Sequence, residues 1–291
     1  MLRQRTVPTL GLVALAGCVS TVRPLDPEPV ASAAPWLGRW DQAQERLDAT
    51  GERAVELSFF EGMHMQIGAL RASGRLPPPA EAAAEVLVVT EGQGILEAGG
   101  QRVPLDPGCL VFLPKGARGA LLGDARAPVY ALVARRPRAP VGGAVRVLRS
   151  EEAFPRDVVA APGGNAARVL AELPGAFTAR LLGVSGVVDR HLHRRHDELW
   201  FVISGWGTLG VGNEGTARNF ISQPLRERSL VYLPPLHPHS FADEGGRTIL
   251  LALDAPPLPR LEEDTVAVPT REKANNGRPA FPEQVAPRPP R

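Results

Sequence analysis

The chain has 291 residues, enough for one large domain or two of ordinary size. Glycine and proline number 30 each while hydrophobic residues make up 44%, a balance that excludes a helical bundle, a collagen-like repeat and a disordered polymer. Basic residues number 33 against 31 acidic ones, and a net charge of +2 argues against the basic face on which nucleic-acid binding rests.

The first predicted element is a secretory signal over residues 1–17. Arg3 and Arg5 precede an apolar stretch from Thr6 to Gly17, which is too short to span a bilayer. It ends in Leu15-Ala16-Gly17-Cys18, which resembles a bacterial lipobox. The resemblance implies cleavage before Cys18 and acylation of its thiol by a palmitate-type chain. The body would then sit outside the cytoplasm, in the periplasm or the extracellular space, touching a membrane through the lipid anchor alone. Val19 stands where an aspartate would suggest inner-membrane retention, so the outer membrane is favoured. Two cysteines build no disulfide framework, and Cys109 sits in an apolar run as a small core residue.

Residues 18–51 read as a Pro- and Ala-rich tether followed by a short helix over Trp36 to Asp48. Strand-like runs then follow at Glu85–Thr90, Cys109–Leu113, Val129–Val133, Leu199–Ile203, Leu230–Leu233 and Ile249–Leu253, separated by Gly, Pro, Asp and Asn. From Ala255 the chain is Pro-rich again, and an extended or partly wrapped tail is expected over 256–291.

The strands repeat. Glu85 to Gly94 aligns with Glu198 to Gly207 at an offset of 113, and Gly108 to Pro114 aligns with Arg228 to Pro234 at an offset of 120. The seven extra residues fall near Asn213 to Asn219, which reads as an enlarged hairpin loop. Two copies of one all-β unit account for both alignments.

His191, His193, His196, His237 and His239 gather in the second copy. On a strand, side chains alternate, so His191 and His193 share a face. Glu198 opens the next apolar run, and Pro234 to His239 ends a strand with a tight turn that delivers a further imidazole. Three imidazoles and a carboxylate suit Fe(II), Mn(II), Ni(II) or Zn(II), with positions left for water or substrate. The plainer reading makes these histidines satisfied core or surface residues. Trp200 shares the face of Glu198, Phe241 that of His239 and Asp189 that of His191, so all three are pocket candidates. Trp200 and Phe241 equally suit barrel core, and Asp189 a solvent-facing rim. Arg190, Arg194 and Arg195 form either an anion-attracting or a merely solvated rim.

The second copy resembles a cupin domain. The first cupin motif, Gly-x5-His-x-His-x3–4-Glu-x6-Gly, is matched by His191, His193, Glu198 and Gly205. The second, Gly-x5-Pro-x-Gly-x2-His-x3-Asn, is matched by Pro234 and His239. The resemblance implies an all-β chain of two tandem cupin-type, jelly-roll-like antiparallel barrels. The first would span 52–136 and the second 137–255, with a divalent metal on His191, His193, Glu198 and His239. Ser185, Arg228 and Leu236 stand where motif glycines are expected, and Asp243 replaces the final Asn. In the first copy Pro78, Ala80 and Gly119 stand at the histidine positions and only Glu85 remains, so that barrel is expected to bind no metal.

Two classes of function stay open. One is a metal-dependent enzyme acting on a small molecule, for example a dioxygenase, isomerase or lyase, since the fold alone assigns no reaction. The other is a non-catalytic ligand-binding or structural lipoprotein. A monomer or a homodimer is expected.

Overall fold

The computed structural model describes residues 30–31, 34–159, 164–212, 220–257 and 264–268. The signal with Cys18, most of the tether, the expected loop at 213–219 and the tail beyond residue 268 lie outside the described residues.

The chain opens with β1 (Val30–Ala31), β2 (Trp36–Arg39) and α1 (Trp40–Ala49). The first barrel follows as β3 (Ala54–Glu61), β4 (Gln66–Ala72), β5 (Arg75–Leu76), β6 (Ala84–Glu91), β7 (Gly94–Ala98), β8 (Gln101–Leu105), β9 (Leu110–Leu113), β10 (Arg118–Gly123) and β11 (Val129–Arg136). Next come β12 (Arg146–Leu148), α2 (Ser150–Ala153) and α3 (Arg156–Val159). The second barrel is β13 (Ala166–Leu173), β14 (Phe177–Val184), β15 (Val187–His193), β16 (Asp197–Ser204), β17 (Trp206–Val211), β18 (Ile221–Arg226), β19 (Ser229–Leu233), β20 (His239–Asp243) and β21 (Thr248–Ala255), followed by β22 (Thr265–Ala267).

Each barrel pairs a large sheet with a small one. The first stacks β1-β3-β4-β11-β6-β9-β12 on β5-β10-β7-β8, around Leu87, Leu96, Val111 and Leu121. The second stacks β13-β14-β21-β16-β19-β2 on β18-β17-β20-β15-β22, around Trp200, Leu209, Val231 and Phe241. The two orders correspond strand for strand, as the repeat predicts. Only β1 and β22 have no counterpart among the described residues. The edges are crossed over in sequence: β12 completes the first large sheet, and β2, which precedes that barrel, completes the second.

Trp36 to Arg39, expected as the start of a helix, is therefore a strand, and the helix begins at Trp40. Alternation explains this outcome. Leu37 enters the core of the second barrel, while Trp36 turns the other way and stacks on Phe60 at a centroid distance of 5.5 Å. The two large sheets pack back to back through Val86, Val88 and Phe112 on one side and Leu199, Phe201 and Leu251 on the other. Strands β6 and β16 are buried on both faces, which is why their sequences read as continuous apolar runs.

The two replaced glycines of the second motif keep their backbone shape. Gly108 and Gly116 have φ of 84° and 78°, and their repeat partners Arg228 and Leu236 have φ of 68° and 65°. No other non-glycine residue among the described residues has a positive φ. The turn geometry of the unit has outlasted its glycines, at a cost of about 1–2 kcal/mol per residue.

Candidate metal centre

The four ligand candidates converge inside the second barrel. His191 and His193 lie on β15, and His239 lies directly opposite His191 at the start of β20. One ring nitrogen from each of these three imidazoles falls within 4.8 Å of the other two. The turn over 194–196 reverses the chain into β16, whose alternation turns Glu198 inward. Glu198 Oε2 lies 3.2 Å from His193 Nε2 and 3.4 Å from His239 Nε2.

Local hydrogen bonds set the tautomers. His191 Nδ1 donates to the carbonyl of Asp189 at 2.7 Å, and His239 Nδ1 to that of His237 at 3.0 Å. Each ring is left with a lone pair on Nε2. His193 Nδ1 lies 3.3 Å from Thr265 Oγ1. Burial is the main reason that His191 and His193 fall to about 4, so both are neutral bases at pH 7. Burial alone would raise Glu198, but its contacts with His193 and Arg180 hold it well below the usual carboxylate range.

Arg180 organises the carboxylates. Its guanidinium binds Asp254 through two bonds of 2.7 and 2.8 Å and Glu198 Oε1 through a third of 2.7 Å. Glu198 thus keeps Oε2 turned toward the imidazoles. Three carboxylates, Glu198, Asp254 and Asp264, are buried here; Arg180 binds the first two, and His196 lies between the last two, its Nε2 3.6 Å from Asp254 and its Nδ1 2.8 Å from Asp264. An interior holds such groups only with cationic or hydrogen-bonding partners. His239 Nε2 is buried and makes no hydrogen bond. Donor chemistry and this orphaned nitrogen both fit a divalent cation.

The other candidates are placed differently. Asp189 does not share the face of His191, because β15 carries one extra residue between Val188 and His191 and the bulge breaks the alternation. Its side chain is exposed, and its contact with the site is the backbone carbonyl. Trp200 and Phe241 do face the interior, at 1% exposure each. Trp200 meets the His239 ring edge-on at 5.5 Å and Phe241 at 6.2 Å, so both wall the site from behind. Arg194 and Arg195 are exposed beside it, and Arg190 lies over the Phe220 ring.

Sequence reasoning missed a layer behind the ligands. His196 and His237 lie in loops, and both are buried. His196 Nδ1 lies 2.8 Å from Asp264, and its ring is 4.1 Å from that of His193. Arg180 and Asp254 carried a usable signal, since a lone charge inside an apolar strand must find a buried partner. Asp197 points away from Glu198, into the junction between barrels. There it accepts the N–H groups of His64 at 2.6 Å and Met65 at 3.1 Å. Two cavities, of about 410 and 340 Å³, lie away from the histidines, beside Trp206 and Pro224 and beside Phe154 and Phe201 respectively.

In the first barrel β5 stops at Leu76, where Pro77, Pro78 and Pro79 have no N–H to continue a ladder. Glu85, the counterpart of Glu198, binds Arg118 at 3.1 Å and Arg135 at 2.6 Å, and Glu56 binds the same two guanidiniums.

Neither a protein-family model nor a curated protein matches the chain. Solved structures do. Salicylate 1,2-dioxygenase from Pseudoaminobacter salicylatoxidans, in its adduct with gentisate, superposes with a TM-score of 0.64 at 13% identity, covering 82% of this chain and 85% of that one. A cupin 2 conserved barrel domain protein from Leptotrichia buccalis gives 0.51 at 12% identity, covering 69% and 88%. The chain has the bicupin fold. Of the two cupin-type barrels, the second carries the histidine cluster and the first binds its corresponding glutamate, Glu85, with Arg118 and Arg135.

Proposed function

We propose that the second cupin barrel binds one divalent metal ion through His191, His193, Glu198 and His239, and presents it to a small molecule. The carrying observation is the convergence of three imidazole nitrogens within 4.8 Å beside a buried carboxylate. Iron, manganese, nickel and zinc all suit this donor set. When bound, the ion would supply a Lewis acid, or a site for O2 if it is iron. The chain's residues prepare the place. Carbonyl groups orient His191 and His239, Arg180 fixes the carboxylate, and Trp200 and Phe241 exclude water from the back of the site. Metal analysis of the purified body tests the reading. About one ion per chain is expected, lost in His193→Ala and His239→Ala; a content far below one, unchanged by either substitution, overturns it.

The substrate class starts from the fold. Salicylate 1,2-dioxygenase, whose architecture this chain shares, binds gentisate, and the arginines beside the site suit an anionic small molecule. Oxygen uptake over hydroxylated aromatic acids, thiols and sugars separates oxygenase chemistry from an isomerase- or lyase-like reaction. A second reading, a ligand-binding lipoprotein without catalysis, is favoured by the aromatic filling behind the histidines. It expects ligand-induced stabilisation with no turnover across the panel.

We further propose that the protein is lipid-anchored at Cys18, with the outer membrane favoured and the body in the periplasm or outside the cell. Support comes from the basic start, the short apolar stretch and the lipobox-like exit. Cys18→Ser is expected to release the protein from membranes. Retention of that variant in the membrane fraction would refute the anchor.

A further inference from the structure

We propose that the C-terminal tail completes the metal centre, with Thr265 and Asp264 as positioning residues for His193 and for the turn that leads to Glu198. The proposal rests on the metal reading above. All three imidazoles have an oxygen at Nδ1. For His191 and His239 the oxygen is local, a backbone carbonyl two residues earlier on the chain. For His193 it comes from far away: Thr265 Oγ1, at 3.3 Å and 72 residues on. A hydroxyl accepts as readily as it donates. When a metal takes Nε2, the proton of His193 would sit on Nδ1 and be shared with Thr265; without one, Nε2 donates to Glu198 and Nδ1 accepts from the Thr265 hydroxyl.

Asp264 holds the adjoining turn. Its Oδ2 accepts the N–H groups of Arg194 at 3.0 Å and Arg195 at 3.1 Å, and lies 2.8 Å from His196 Nδ1. Its backbone carbonyl also lies 3.1 Å from the Arg194 nitrogen. The turn so held joins His193 to Glu198. Strand β22 brings both residues into place by pairing with β15, His193 opposite Thr265 and His191 opposite Ala267. In the first barrel β5 forms the edge of its sheet, and no such strand lies beside it among the described residues. Covering an edge requires backbone pairing alone. A carboxylate at 3% exposure with two amide donors, and a hydroxyl against a ligand ring, go beyond that need.

Co(II) is the probe, in competition with a chelator, on the full body of the protein. Thr265→Val removes the acceptor at nearly constant size and is expected to weaken Co(II) binding 10–100-fold. It should also shift the visible d–d bands, and Thr265→Ser should restore both. Asp264→Asn is expected to weaken binding in the same direction, with far-UV dichroism confirming that each variant is folded. In metal-free protein, long-range 1H–15N spectra should place the His193 proton on Nε2, toward Glu198, with Nδ1 accepting from Thr265; Thr265→Val is expected to shift the Nδ1 resonance and Thr265→Ser to restore it. Parental affinity, bands and Nδ1 resonance in Thr265→Val overturn the proposal. If the parent binds no Co(II), or binds it equally after His239→Ala, the metal reading fails instead. The Nδ1 resonance then decides alone whether Thr265 positions His193: a shift supports it, an unchanged spectrum overturns it.

Discussion

Glu85 and Glu198 hold the same position in the two barrels, yet Glu85 meets only guanidinium groups while Glu198 gives one oxygen to Arg180 and turns the other to His193 and His239. By register, Glu85 lies opposite Arg135 and Glu198 opposite Asp254. The first barrel therefore neutralises its buried carboxylates with positive charge built into the chain. The second answers Glu198 with one arginine, Arg180, and turns its other oxygen to two imidazoles.

Arg118 is accordingly structural. Arg118→Ala leaves Glu85 and Glu56 to share Arg135, and is expected to lower stability by about 3 kcal/mol, read from urea unfolding. Metal content should be unaffected. A loss below about 1 kcal/mol would show that Arg135 alone satisfies both carboxylates.

Leu236 pays for a glycine's conformation. Leu236→Gly relieves φ of 65° and is expected to stabilise the protein by about 0.5–1 kcal/mol, after the greater unfolded-state entropy of glycine is counted. The hydrogen bond from its N–H to the His193 carbonyl at 2.6 Å remains available. A lowered melting temperature would show that the Leu236 side chain contributes more than the strain costs.

Asp197 makes the junction between barrels sensitive to pH. Burial raises it to about 6, although the N–H groups of His64 and Met65 and the Tyr232 hydroxyl pull the other way. Because the folded value lies above the unfolded one, the folded state holds this proton longer. Stability is thus lost as pH rises from about 4 through 6. Relative to Asp197→Asn, the parent should lose about 3 kcal/mol across that window. Parallel stability profiles for the two proteins would refute it.

For the metal-free protein the histidines act in the opposite sense. His191 and His193 lie near 4, below the ordinary histidine value of 6.5. The unfolded chain takes up protons first, and stability falls as pH drops from about 6.5 toward 4. His193→Gln should flatten that decline by about 3 kcal/mol. Saturating metal is expected to raise the melting temperature at pH 7, by about 2.7 kcal/mol of stability at 100 times Kd. A melting temperature indifferent to chelator argues against the site.

Much of this architecture was legible because it follows from local rules. Alternation placed Trp200 with Glu198 and His191 with His193, and the two offsets placed the turns. Alternation failed at Asp189, where a single extra residue in β15 reverses the faces. It also gave no account of His196, which sits in a turn without periodicity and is buried by a strand arriving from beyond residue 263. The strand β2 was missed because its apolar residues serve two cores at once, Leu37 one and Trp36 the other.

The sequence by itself determined that there are two copies of one β unit, that only the second keeps three histidines and a glutamate in order, and where the turns must bend. Those properties reside in spacing and side-chain alternation along a few consecutive residues. The tertiary structure decided the partners: Arg180 for Glu198 and Asp254, Arg118 for Glu85, β2 and β12 for edges of different sheets, Thr265 for His193. Such pairings join residues far apart in the chain. They are selected by the cost of leaving a buried charge or a strand edge unanswered, which no local pattern records.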